Sequence, residues 1–136
     1  MDTDKIVLLR AFNKQFFDFL DDLLGIYPNN VEILTAKSMF ETIKGLNPTS
    51  IIKVWYLHVG VPYKTQIEAE NISFFVEKDY SVDLQKNQVA NASNILNMIE
   101  NIRDPIKRMD SKNMAHSAKH IRNLSKLSEA YASLQL

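Results

Sequence analysis

Residues 8–24 read Leu8-Leu9-Arg10-Ala11-Phe12-Asn13-Lys14-Gln15-Phe16-Phe17-Asp18-Phe19-Leu20-Asp21-Asp22-Leu23-Leu24. Leu9, Phe12, Phe16, Phe19 and Leu23 follow one another at steps of three and four, which sets them on one face of an α-helix. Phe17, Leu20 and Leu24 widen that stripe, so the helix needs cover on more than a narrow seam. Asp18, Asp21 and Asp22 fall on its polar side. Thr3 can cap the exposed amides of the first turn, with Asp4 favourable beside them, and Gly25 and Pro28 mark the end.

The same period continues outward. Asn29 or Asn30 can cap a second helix with Ile33, Ala36, Phe40 and Ile43 at helical spacing, stopped by Gly45. Asn47-Pro48 reads as a cap followed by a first-turn proline. The third helix then carries Ile51, Ile52, Val54, Trp55, Leu57 and Val59 and stops or kinks at Gly60-Val61-Pro62. Its β-branched and aromatic content also admits a strand over residues 51–61, against which the cap and proline argue. Pro62 opens a short fourth helix through Glu70, and Asn71 can cap a further turn or two to Lys78. The polar stretch Ser81 to Gln88 is the candidate hinge.

Beyond it, Ala92, Ile95, Ile99, Ile102, Ile106 and Met109 form a narrow, coiled-coil-like seam. Asp104-Pro105 interrupts it, and Pro105 either kinks the helix or starts a new one capped by Asp104. Asp110-Ser111 is another cap candidate, after which Met114, Ala118, Ile121, Leu124, Ser128 and Tyr131 carry the period to about Ala132. The predicted fold is all-α: an irregular bundle of about five to seven helices. Residues 1–83 form an aromatic-rich helical core, and residues 84–136 a C-terminal helical hairpin or arm packed on it within a single domain.

Composition agrees with that division. The 136 residues carry 16 basic and 16 acidic side chains, 3 Gly, 4 Pro and no Cys. Residues 1–83 have a net charge of −4 and residues 84–136 a net of +4, and of 13 aromatics only Tyr131 lies after Tyr80. The absence of cysteine excludes disulfides, thiolate catalysis and sulfur-ligated zinc. No apolar run approaches the ~20 residues of a membrane span, and the acidic start lacks the pattern of a secretory signal, so synthesis inside the cell is expected.

Chemistry-bearing residues are sparse. Asp18, Asp21 and Asp22 could hold a hard cation only with ligands from a second element, and a solvated face is the simpler reading. His116 and His120 stack four apart, but Ser117 stands where a metalloprotease has glutamate, and Lys119 and Arg122 oppose a cation. His58 has no evident nucleophile or orienting acid and reads as a core or boundary residue. Trp55, Tyr56 and Tyr63 read as core before they read as a partner patch. The three glycines are isolated and make no phosphate loop. No catalytic, cofactor-binding or metal-binding residue is assigned, and no cofactor, membrane or small-molecule substrate is expected. An enzyme with a site assembled from scattered Asp, His and Tyr residues would leave no such motif and stands as a third reading.

The strings Asn47-Pro48 through Trp55, Tyr63-Lys64-Thr65-Gln66-Ile67-Glu68 and Asn71-Ile72-Ser73-Phe74-Phe75-Val76-Glu77-Lys78-Asp79-Tyr80 resemble a family of small proteins of large double-stranded DNA viruses of algae and protists. So do Ile102-Arg103-Asp104-Pro105-Ile106 and Ile121-Arg122-Asn123-Leu124-Ser125-Lys126-Leu127-Ser128. The resemblance covers most of the chain and carries no assigned chemistry. It implies a viral gene product made in the host cytoplasm.

The leading expectation is thus a non-enzymatic structural or interaction protein, a minor virion or capsid-associated component located in the virion. Its partner is a protein, either itself or another virion protein, met through Ile95, Ile99, Ile102, Ile106 and Met109. The premise is that so narrow a seam is not satisfied within its own fold. The alternative is a nucleic-acid-associated protein using a basic face of Arg108, Lys112, Lys119, Arg122 and Lys126, which repeat at helical steps.

Overall fold

A computed structural model describes residues 3–71 and 92–134. Among them are six α-helices and one π-helical turn, with no strand: α1 (Thr3–Ile26), α2 (Val31–Leu46), α3 (Ser50–Trp55) running into the π-turn Tyr56–Gly60, α4 (Lys64–Glu68), α5 (Ala92–Lys107) and α6 (Ser111–Ser133). The all-α reading holds, and the strand over residues 51–61 is set aside. The hinge placed at Ser81–Gln88, the extra turn from Asn71 to Lys78 and the boundary at residue 83 lie outside the described residues.

The long first helix forms the spine because its stripe is wide. Phe12, Phe16, Phe19, Leu20 and Leu23 are all buried, each burial worth about 1.5–3 kcal/mol over exposure. Phe16 meets Phe40 of α2 edge-on at 4.7 Å and Trp55 of α3 at 6.2 Å, geometries that suit the ring quadrupoles. One side of α1 runs antiparallel along α6: Lys5 lies over the ring of Tyr131, and Phe19 stacks on His120.

Helix boundaries follow from side-chain and backbone partners rather than from breakers. α1 ends at Ile26, between Gly25 and Pro28 as expected, whereas α2 runs one residue past Gly45, to Leu46. Asn30 is the α2 cap, its side chain accepting from the Ile33 amide at 3.0 Å. Asn47 does not open the third helix as expected. It closes α2 through its own amide to the Ile43 carbonyl, while its Oδ1 accepts from Thr49 N and Oγ1, and α3 begins at Ser50. Pro62 likewise precedes α4, which starts at Lys64.

α4 ends in a Schellman closure. Asn71 N donates to Gln66 O, and Glu70 N to Ile67 O, with Glu70 at φ 56° in the left-handed region that usually takes glycine. Asp104-Pro105 breaks nothing: α5 continues to Lys107 with Pro105 in its last turn, and α6 starts at Ser111 under the Asp110 cap.

The π-turn keeps the third helix against α6. Val61 N reaches back to Tyr56 O at 3.0 Å, the wider loop of a π-bulge. Gly60 lies so close to α6 that a β-carbon there would stand 3.3 Å from Ser128 Oγ. Trp55, fully buried, donates from Nε1 to Ser125 Oγ at 3.0 Å in the same contact.

Candidate functional site

Ile95, Ile99, Ile102 and Ile106 are buried within the chain, none more than 1% exposed, and Met109 is half-buried and accepts from Ser117 Oγ. The expectation that this seam meets a partner is therefore corrected. α5 packs chiefly on α2 and secondarily on α3. The buried face of α2 is itself narrow, made of Ile33, Ala36, Phe40 and Ile43. Two slim stripes cover each other, so a thin seam needs no second molecule.

The basic face is placed differently. Lys112, Lys119 and Lys126 recur every seven residues of α6, share its exposed ridge, and form no ion pair among the described residues. Arg122 is half-buried beside them with Nη1 3.6 Å from Glu70 Oε1, and Arg108 is exposed past the end of α5. The structure thus aligns three of the five residues and diverts Arg122 to Glu70, just past the end of α4.

His120 holds a position that sequence reasoning missed. Its Nε2 lies 2.5 Å from Asp22 Oδ2 and its Nδ1 2.7 Å from Gln15 Nε2. The amide nitrogen donates to Nδ1, so Nε2 carries the proton that goes to the carboxylate. With Phe19 stacked on its ring at 5.2 Å, His120 ties α6 to α1 at three points. A cleft of about 280 Å³ opens beside it, lined also by His116, Asn113 and Ile26. Both ring nitrogens are engaged within the chain. Among the described residues no group of three or more His, Asp or Glu side chains is placed to hold a metal ion.

The acidic trio resolves into three separate ties: Asp18 to Lys14 at 2.9 Å, Asp21 to Lys37 at 2.6 Å, and Asp22 to His120. The hydrogen bond to Asp21 is the chief cause that raises the Lys37 pKa above the usual lysine value. Desolvation offsets part of that rise, and the charges of Asp21 and Glu41 add to it. A second cleft, about 230 Å³, is lined by Tyr56, Gly60, Val61, Ser125 and the Lys64–Glu129 ion pair. The hydrogen bond to Glu129 leads the causes that raise the Lys64 pKa. Trp55 belongs to the core; Tyr63 and His58 are half-buried.

The outward face of α2 differs from these clefts. Opposite its buried side stand Val31, Leu34, Thr35, Ser38, Met39, Thr42, Gly45 and Leu46, an uncharged strip along the whole helix. Val31 and Leu46 are 72% and 76% exposed and Leu34 46%. A shallow groove of about 440 Å³ runs between Leu34 and Met39 over Thr35, Ser38 and Thr42. No periodicity count singled this face out, because hydroxyls and glycine score as neither core nor charge.

Among the described residues no helix is long and apolar enough to cross a membrane. No family model, curated protein or solved structure matches the chain.

Proposed function

We propose that this chain is a non-enzymatic interaction protein acting through helix–helix contacts, and a minor virion or capsid-associated component of a viral particle. The observation that carries the interaction reading is the outer strip of α2. It is a helix-long face with large apolar side chains in water and no charge along its middle, of the kind that docks on another protein. The particle setting rests on the sequence resemblance to proteins of large DNA viruses.

Mass spectrometry of purified particles, with a photo-crosslinking side chain installed at Thr42, tests both halves. The chain is expected in the particle with a crosslinked peptide at that position. Its absence from particles removes the virion setting, and a particle-borne chain without any crosslink from α2 removes the interaction face.

The ridge of Lys112, Lys119 and Lys126 favours a second reading, association with nucleic acid. Titration with duplex and single-stranded DNA at two salt concentrations decides it, because phosphate contacts release counterions and must weaken steeply as salt rises. No binding at low salt ends that reading.

A further inference from the structure

We infer that the outward ridge of α6 holds double-stranded nucleic acid by its phosphates, without regard to base sequence. The inference rests on the nucleic-acid reading of that ridge and names the form of the partner and the side chains that grip it.

The ridge is set by what α6 buries. Ile121, Leu124 and Tyr131 turn inward along Ser111–Ser133, and the helical repeat then puts Lys112, Lys119 and Lys126 outward, all exposed. A step of seven residues is two turns less about 20°, so the three lysines stay in one row about 21 Å long. Ala115, His116 and Asn123 are exposed between them. No Asp or Glu occurs from residue 111 to residue 128, so no negative charge of the same helix breaks the row.

Neighbouring carboxylates do not cancel it. Those that meet α6 from α1, from the end of α4 and from its own last turns are each tied to another basic side chain: Asp22 to His120, Glu70 to Arg122 and Glu129 to Lys64. The three lysines form no ion pair among the described residues. Their charge is left to an anion from outside.

The residue types choose among polyanions. A lysine ammonium is a compact point charge that suits phosphate oxygens, and the guanidinium beside the row, that of Arg122, is drawn to Glu70. Contacts to phosphate position a duplex and carry no sequence preference. Unpaired strands are gripped by aromatic side chains that stack on the bases, and the row has none. An anionic bilayer takes large apolar side chains beside basic ones, whereas the apolar face of α6 is turned onto its own chain. A duplex carries one phosphate charge per about 1.7 Å of its axis, so a straight ridge laid on it finds a phosphate for every lysine.

Three such contacts set a logarithmic salt slope of about −2.7, an about 500-fold loss of affinity from about 20 mM to about 200 mM salt. Fluorescence anisotropy of the full chain with two short duplexes of different sequence, and with one of their single strands, measures it. The duplexes are expected to bind alike and the single strand more weakly. Lys112→Gln, Lys119→Gln and Lys126→Gln should each reduce the slope by about 0.9. Glutamine is a comparable helix former, so circular dichroism should stay unchanged. Lys44→Gln, on α2, should leave the slope as in the wild type.

Tighter binding of the single strand, a large difference between the duplexes, or a slope unaltered by the three ridge variants each overturns the inference. So does a wild type held by phosphatidylserine vesicles and not by duplex. The single-strand and unaltered-slope outcomes leave nucleic-acid association standing, in another form or on another face. No binding to either nucleic acid at about 20 mM salt ends both.

Discussion

Trp55 Nε1 donates to Ser125 Oγ at 3.0 Å across the buried junction of α3 and α6. The indole nitrogen has one proton and no acceptor character, so Ser125 is the partner that makes burial of the largest side chain in the core tolerable.

Ser125→Ala is expected to lower stability by about 1–3 kcal/mol, because it takes the acceptor from a buried donor. The Trp55→Phe, Ser125→Ala double variant should be less destabilised than the sum of the singles, since both remove the same bond. Urea unfolding monitored by circular dichroism measures all three, and strict additivity would separate the two residues energetically.

Ile99 separates the core reading of α5 from the partner reading. At 1% exposure within its own chain, Ile99→Ala should cost about 2–5 kcal/mol through lost burial and the cavity left behind. That loss belongs to the monomer and should be the same at all protein concentrations. A variant of unchanged unfolding midpoint with altered sedimentation would return Ile99 to an interface.

The α5 seam shows where sequence stopped informing the fold. Steps of three and four identify which face of a helix is apolar, and on that basis Phe12, Phe16, Phe19, Ile33, Phe40, Ile95, Ile121 and Leu124 were all legible as inward-facing. Periodicity does not say whose helix supplies the cover. A narrow seam reads alike whether it meets α2 of its own chain or a stranger, and here the slim face of α2 fits it. The Gly45 stop fell one residue short of the end of α2 for a related reason. Gly25 and Gly45 have open space where a β-carbon would stand, and they simply sit near helix ends, the second of which Asn47 fixes. His120 with Asp22 was out of reach because the pair is separated by 98 residues, and each residue alone looks like a polar edge.

Lys37 sets up a pH dependence at the alkaline end. Its pKa is raised in the folded chain, first by the hydrogen bond to Asp21, above the ordinary value of 10.5. The folded state therefore holds the proton more tightly than the unfolded one. The associated stability is complete below pH 10.5 and is lost as pH rises through the higher folded value. Lys37→Gln should remove that part of the alkaline loss while leaving the profile at neutral pH nearly parallel to the wild type. The pair is exposed on the carboxylate side, so the effect is small and fades with added salt. Melting temperatures from about pH 8 to about pH 11.5, at about 20 mM and about 500 mM salt, check both statements.

The tie from His120 to α1 makes the last prediction. Three contacts converge on one imidazole: Asp22 at Nε2, Gln15 at Nδ1 and Phe19 on the ring face. Asp22 is exposed, with 62% of its side chain in solvent, so its bond alone is worth about 0.5–1.5 kcal/mol. The stack and the Gln15 bond are more enclosed, and His120→Ala should therefore cost more than Asp22→Ala. His120→Phe keeps the stack on Phe19 but cannot bond either polar partner, so its loss should lie between the two. If His120 acts as a strut between helices, amide exchange should quicken along α6 near Asn113–Ser117 in His120→Ala, where only the cleft and few apolar contacts remain. Exchange unchanged there, with the stability loss confined elsewhere, would show that α1 and α6 are held by their apolar faces alone.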